Sequence, residues 1–327
     1  MKHHTLAFAA ALFLSANPTF AQDTRTVVDD LGRAVDVPLT PARGVITGGP
    51  EVAAHLVPLG YVPYGAGGGY YGTDLIEVME GIGGQIGDLS QVINMGGETV
   101  DLEAVAAAEP DLILEWSNPE MVEQLEQIAP TLGIWPRANH SSDIDAPDGE
   151  RYSKQRLLAS IVGMEDALDT QIAEYEALLA DVKKRHAEVI PELEWTFIDD
   201  GDDGVVYMYD GVRHNGFAYN PVMDDIGLTR AAAMVDATAQ SLGYDNNYGY
   251  AQISLEVVPD YAADLVFIGR YDTAPINEQT QLVLDTTPAA EADQVYRVDA
   301  NIWTYHHVQA EIGVLRRVDE NLSGGVK

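Results

Sequence analysis

The chain has 327 residues, 46% of them hydrophobic, which is enough to build substantial cores and, at this length, more than one. Acidic residues number 52 against 18 Lys and Arg, and the resulting charge of −34 repels phosphate backbones and anionic lipid, excluding nucleic acid as a partner. With no cysteine there are no disulfides, no thiolate metal sites, no cysteine nucleophile and no lipid-modified Cys at a mature N-terminus.

Residues 1–21 read as an export signal: a short polar start with Lys2, an apolar run from Leu6 to Ala16, and small residues up to Ala21, after which cleavage is expected. That run of 11 residues is shorter than the roughly 20 a membrane span needs, and no later stretch is long enough. The expectation is an exported, periplasmic protein without a membrane anchor.

Residues 26–38 suggest a hairpin around Asp30-Leu-Gly32-Arg33, with Val27, Val28, Val35 and Val37 as strand residues. Gly44 to Thr47 reads as a strand feeding a helix from Pro50 to Leu59, and Tyr61 to Tyr64 as the next strand. Asp101 is a suitable helix cap, followed by Glu103 in the first turn and by the apolar strand Leu112 to Leu114. A helix from Glu120 to Ile128, a strand from Leu132 to Trp135 and a helix from Glu150 to Val162 complete a first α/β lobe.

Met164 to Val189 contains no Gly or Pro, and apolar or semi-apolar residues recur at three and four from Leu168 to His186. Acids at its start and Lys183, Lys184 and Arg185 near its end match the helix dipole, and Pro191 stops it. Its 26 residues would extend about 39 Å as one helix. Beyond it, Trp195 to Ile198 and Val205 to Met208 read as strands, Pro221 to Ile226 as a helix and Ser254 as a second cap with Glu256 behind it. Leu265 to Ile268 follows as a strand, Asn277 to Leu284 as a helix, Val295 to Val298 as a strand and Tyr305 to Asn321 as a closing helix. The fold class is therefore α/β: two Rossmann-like lobes with mainly parallel sheets, 22–163 and 191–327, joined by one long α-helix over 164–190. The second lobe is expected to repeat the architecture of the first.

The cap, first-turn Glu and apolar strand recur at Asp101-Leu-Glu103 and Ser254-Leu-Glu256. Helix dipoles favour first-turn acids by ~0.3–1 kcal/mol, so either Glu alone needs no function; a matched pair in matched halves points further. In open α/β lobes ligands bind at the carboxyl ends of the strands, so the expected cleft lies between the lobes. Aromatic residues placed at such ends are Trp116, Tyr248, Trp303 and Tyr305, with Tyr70 and Tyr71 in a Gly-rich loop. No serine-hydrolase elbow, zinc-protease helix or phosphate loop is present, and no catalytic role is expected. Gly65 to Gly69 and Gly81 to Gly84 read as flexible loops. His306 and His307 would diverge by about 100° on a helix and so would not share one metal ion.

The export signal, the segment Val28-Asp-Asp-Leu-Gly-Arg-Ala-Val35, Leu102-Glu103 through Asp111-Leu-Ile113, the uninterrupted central helix, and Ser254-Leu-Glu256 through Asp264-Leu-Val266 together resemble periplasmic substrate-binding proteins of the helical-backbone class, which serve iron–siderophore and cobalamin ABC importers. The resemblance covers essentially the whole mature chain and is strongest to ferric-hydroxamate binders. It implies a ligand that is an Fe(III)–siderophore complex, no covalently bound cofactor, a monomer, and an inner-membrane ABC permease that docks through Glu103 and Glu256. It also implies ligand contacts at Trp116, Tyr248, Trp303 and Tyr305, while Tyr70 and Tyr71 are candidate contacts from their place in the Gly-rich loop. Hydroxamate binders carry an Arg before the N-lobe Leu-Glu where this chain has Asn94-Met-Gly-Gly97; Arg213 and Arg270 are the two candidates to replace it. With few bases, a neutral or cationic ferric hydroxamate is expected over anionic catecholate or citrate complexes. The alternative is a haem, cobalamin or metal-ion binder of the same fold. A rigid helical connection also implies small lobe motion on ligand capture.

Overall fold

The computed structural model describes residues 23–69, 75–82, 87–116, 118–135, 151–201, 205–209, 217–234, 250–270 and 275–324. The export signal lies outside them. Strands β1 (Thr24–Val28) and β2 (Ala34–Pro38) form the expected antiparallel hairpin, with Val27 opposite Val35. Its turn is ordered by Asp29, whose carboxylate accepts the backbone N–H groups of Leu31 and Arg33 and pairs with the Arg33 guanidinium at 2.6 Å. The same carboxylate accepts the N–H of Gly133, fastening the hairpin to the first sheet.

That sheet comprises β3 (Gly44–Ile46), β4 (Gly65–Ala66), β5 (Ile93–Asn94), β6 (Leu112–Trp116) and β7 (Thr131–Ile134), all parallel in the order β5-β4-β3-β6-β7. The strand expected over Tyr61 to Tyr64 falls instead on Gly65–Ala66, since Pro63 has no N–H to give to a ladder. Helices Gly49–Ala54, Leu75–Gly81, Leu102–Ala107, Pro119–Leu125 and Ser153–Val162 accompany it.

The long helix runs Glu165–Arg185, 21 residues or about 32 Å. It begins after Gly163, whose left-handed φ of 74° ends the preceding helix, and it stops at His186, short of the expected Val189. One face buries Leu168, Gln171, Tyr175 and Val182. The Gln171 amide donates to the Pro58 carbonyl at 2.8 Å in the first half, and Glu174 pairs with Arg316 of the closing helix in the second.

The second sheet is mixed. β8 (Glu194–Asp200), β10 (Thr229–Arg230), β12 (Leu265–Arg270) and β13 (Val295–Asp299) are parallel, while at one edge β9 (Val205–Tyr209) runs antiparallel to β8 and β11 (Tyr250–Ser254) antiparallel to β9. The second lobe thus repeats the parallel centre of the first and adds a reversed edge. Only residues 201–204 separate β8 from β9, and a connection that short closes a hairpin but cannot cross over to a parallel neighbour. Helices Tyr219–Ile226, Glu278–Leu284 and Pro288–Glu291 flank this sheet. The closing helix expected from Tyr305 begins instead at Val308 and runs to Ser323, and a separate short helix, Ala300–Thr304, precedes it. His307 caps the closing helix, its Nδ1 accepting the Ala310 N–H at 3.2 Å.

Between these elements sits a buried polar knot. Arg151 donates from Nε to Glu311 at 2.8 Å, from one terminal nitrogen to Tyr175 at 3.1 Å, and from the other to Asp225. Tyr152 donates to Glu311 at 2.5 Å, Tyr175 donates to Asp225 at 2.6 Å, and His306 Nε2 stands 3.1 Å from Glu311. Burial opposes the Arg151 charge, and Glu311, Tyr152, Tyr175 and Asp225 more than offset it, holding the guanidinium pKa above its usual value. The Glu311 side chain is wholly buried. Arg151→Met, by leaving that carboxylate without its cation, is expected to cost about 3–5 kcal/mol in urea unfolding; a loss below about 1 kcal/mol would show that the knot is not a structural tie.

Candidate functional site

The carboxyl ends of β3, β4 and β6 open on a cleft of about 530 Å³ whose described lining residues all belong to the first lobe, whereas the expected cleft lay between the lobes. After β3 the chain turns at Thr47, and the N–H groups of Thr47 and Gly48 both donate to the Leu114 carbonyl, at 2.9 and 3.1 Å. After β4, the N–H groups of Gly68 and Gly69 both donate to the Gly97 carbonyl at 3.0 Å. These close approaches are what the glycines allow. A Cβ on Gly48 would stand 2.4 Å from the Trp116 nitrogen, and one on Gly68, which has φ +83°, 2.5 Å from the Thr47 carbonyl oxygen. Gly67 to Gly69 therefore serve tight packing of the cleft wall, a stricter role than the loop flexibility read from sequence.

β6 delivers two side chains to this cleft, Glu115 and Trp116. Trp116 is half-buried, its ring tilted against Trp135 with centroids 5.8 Å apart. Glu115 is 5% exposed, and burial pushes its carboxyl up to about 7; Thr47 and the Trp116 N–H pull it part of the way back. The Thr47 contact falls short of hydrogen-bond geometry, so Thr47 Oγ1 and Glu115 Oε2 both lack a partner. The sequence reading ended this strand at Leu114 and passed over Glu115. An ionisable residue continuing an apolar run of a buried parallel strand was the available signal.

Of the aromatic and basic residues expected to meet the ligand, Trp116 lines the cleft. Trp303 is packed in the core of the second half, its ring against Phe267 at 4.8 Å and Phe197 at 6.1 Å. Tyr305 packs against the core of the first half. Arg270 is buried on β12 and donates to the Asp200 carboxylate at 3.0 Å. Tyr70, Tyr71, Arg213 and Tyr248 lie outside the described residues.

Glu103 is exposed in the first turn of its helix, behind an Asp101 cap whose carboxylate accepts the N–H groups of Glu103 and Ala104 at 2.9 and 3.1 Å. The helix starts beside the cleft residues Thr99 and Val100. Glu256 is exposed in a 3₁₀ turn, Leu255–Tyr261. Ser254 makes no side-chain cap there, and Pro259, lacking an N–H, keeps the turn from becoming an α-helix. His307 is fully buried and its pKa is driven well below the usual histidine value by burial and by its neighbours His55 and His306. Among the described residues no group of three or more His, Asp or Glu side chains converges as a metal site.

A two-lobed α/β protein with a cleft at the carboxyl edge of a parallel sheet is a binding-protein architecture. The family model described as periplasmic binding protein matches residues 84–302, and the chain belongs to that family. The iron(3+)-hydroxamate-binding protein FhuD of Bacillus subtilis (strain 168) is 28% identical over 189 residues, 57% of this chain and 54% of the relative. The chain spans about half the length of the curated relatives it matches. Among solved structures, the Staphylococcus aureus FhuD2 with bound ferrioxamine B superposes with TM-score 0.64 at 19% identity, over 87% of this chain and 100% of that one. Staphylococcus aureus SirA complexed with staphyloferrin B does so with TM-score 0.67 at 19% identity, over 92% and 99%. These likenesses establish the fold.

Two measurements follow from this geometry. Gly48→Ala is expected to destabilise the fold by about 1–3 kcal/mol in urea unfolding, because the added methyl meets the backbone of Glu115 and Trp116 as well as the Val52 side chain; an unchanged midpoint would contradict the packing described. The folded protein binds a proton at Glu115 more tightly than the unfolded chain, so this group's contribution is full below pH 4.5 and is lost as pH rises to about 7. Relative to wild type, Glu115→Gln should therefore gain roughly 3 kcal/mol of stability across that interval. A pH-independent difference between the two would refute the raised carboxyl.

Proposed function

We propose that this chain is the capture component of an ABC importer, binding a ferric siderophore of the hydroxamate type in the cleft and handing it to an inner-membrane permease from the periplasm. The observation that carries this reading is the charge of the cleft wall: among its described residues are two acids, Glu98 and Glu115, and no Lys or Arg. Ferric catecholate and citrate complexes are strongly anionic, and enclosing them calls for cationic partners. A neutral or cationic ferric hydroxamate makes no such demand. The name of the Bacillus subtilis relative supports the same chemistry.

In this reading Trp116 is an aromatic wall of the ligand site, and Tyr70, Tyr71, Arg213 and Tyr248 remain proposed ligand contacts. Glu103 and Glu256, one exposed carboxylate on each half, are the proposed docking points for permease arginines, which bind carboxylates in bidentate fashion. The proposed protein is monomeric, carries no resident cofactor and performs no reaction, and residues 1–21 are its cleaved export signal. No helix among the described residues is long and apolar enough to cross a membrane.

Tryptophan fluorescence titrated with ferrioxamine B and with ferric enterobactin tests the ligand class. Saturable quenching by the hydroxamate, at least about tenfold tighter than by the catecholate, is expected; tighter binding of the catecholate would overturn the assignment. Replacing Glu103 and Glu256 by Ala tests the docking role separately. Uptake of iron in cells should fall steeply while fluorescence titration shows ligand affinity retained, and unimpaired uptake would remove both residues from the docking scheme.

A further inference from the structure

Strand β6 is buried from Leu112 to Glu115, and side chains two apart on a strand share a face. Leu112 and Leu114 belong to one apolar cluster and Ile113 to another, so Glu115 continues the Ile113 face, which is otherwise packed with Val45, Met95, Val105 and Leu125. An acid is the costliest way to end such a row, because a buried carboxylate needs either a counter-charge or a proton. Here its Oε2 has no well-formed hydrogen bond, and the hydroxyl of Thr47, itself 3% exposed, is its neighbour and has no other partner. Both side chains line the cleft. Within the described wall Glu98 adds a second acid, and no base supplies the missing charge.

We propose that Glu115 and Thr47 form a subsite of the cleft that selects ligands carrying a protonated amine, the ammonium group donating to the free carboxylate oxygen and to the threonine hydroxyl. The inference rests on the ferric-complex reading above and adds to it the chemistry of the ligand's periphery. An ammonium brought to this position satisfies two buried acceptors at once and forms a charge-assisted hydrogen bond in a site shielded from water. A ligand of the same shape without the cation leaves the carboxyl protonated or unpaired, and an anionic group at the same place meets two acids. The subsite thus discriminates through the penalty on wrong ligands as well as through the contact made with the right one.

Ferrioxamine B, a linear ferric trihydroxamate ending in a primary amine, and its N-acetylated derivative differ only at that amine and are the probes. At neutral pH wild type should bind the amine form about tenfold or more tighter than the acetylated form. In Glu115→Gln that ratio should collapse to about twofold or less. The wild-type ratio stands independently of how well the variant folds. Equal affinity of wild type for the two probes overturns the proposal, as does an undiminished ratio in folded Glu115→Gln, which would place amine recognition elsewhere. If wild type binds neither probe, the hydroxamate reading itself fails and the subsite with it.

Discussion

A single partly buried guanidinium ties the two halves of this protein together. Arg151 lies just before the last helix of the first half, and its partners come from three other elements: Tyr175 on the connecting helix, Asp225 on Tyr219–Ile226 and Glu311 on the closing helix. Because Glu311 has no exposed side-chain surface, its charge is tolerable only while Arg151, Tyr152 and His306 remain in place. The connecting helix is gripped from both sides as well, by Pro58 through Gln171 and by Arg316 through Glu174. Any large hinge motion would have to break buried, charge-assisted contacts and leave their members unpaired. These ties oppose a change in the separation of the halves, while the described lining of the cleft comes from the first half alone.

Within that frame the cleft wall of the first half is set by backbone and not by side chains. Pairs of N–H groups converge on the carbonyls of Leu114 and Gly97, and glycine at 48 and 68 permits the approach. Side-chain chemistry is then concentrated at the end of β6, where Trp116 offers a face and Glu115 an unsatisfied acid. Rigid placement matters for both residues. A mobile carboxyl would turn to water and lose its selectivity, whereas one held in a packed strand keeps its elevated proton affinity.

Much of this architecture is legible in the residues. Apolar runs such as Leu112 to Leu114 and Leu265 to Ile268 state buried parallel strands, and the absence of Gly and Pro after Gly163 states a long helix. What escapes the sequence depends on partners distant along the chain. The reversed strand β9 follows from a short connection, and the strand β11 that pairs with its outer edge lies much later in the chain. The later start of the closing helix follows from His306 turning to Glu311 and His307 turning back to cap. Trp303 lies in the short helix after β13, where Phe197 and Phe267 enclose it, whereas Trp116 at the end of β6 lines the cleft, and no local pattern distinguishes the two placements. Glu115 escapes for the opposite reason: periodicity looks for apolar residues, and this buried acid at the cleft interrupts them.

The central claim is that the halves are braced against a change in their separation. Small-angle X-ray scattering of the protein, free and saturated with ferrioxamine B, addresses it most directly. The account predicts superimposable curves and an unchanged radius of gyration, and a clear contraction on loading would contradict it.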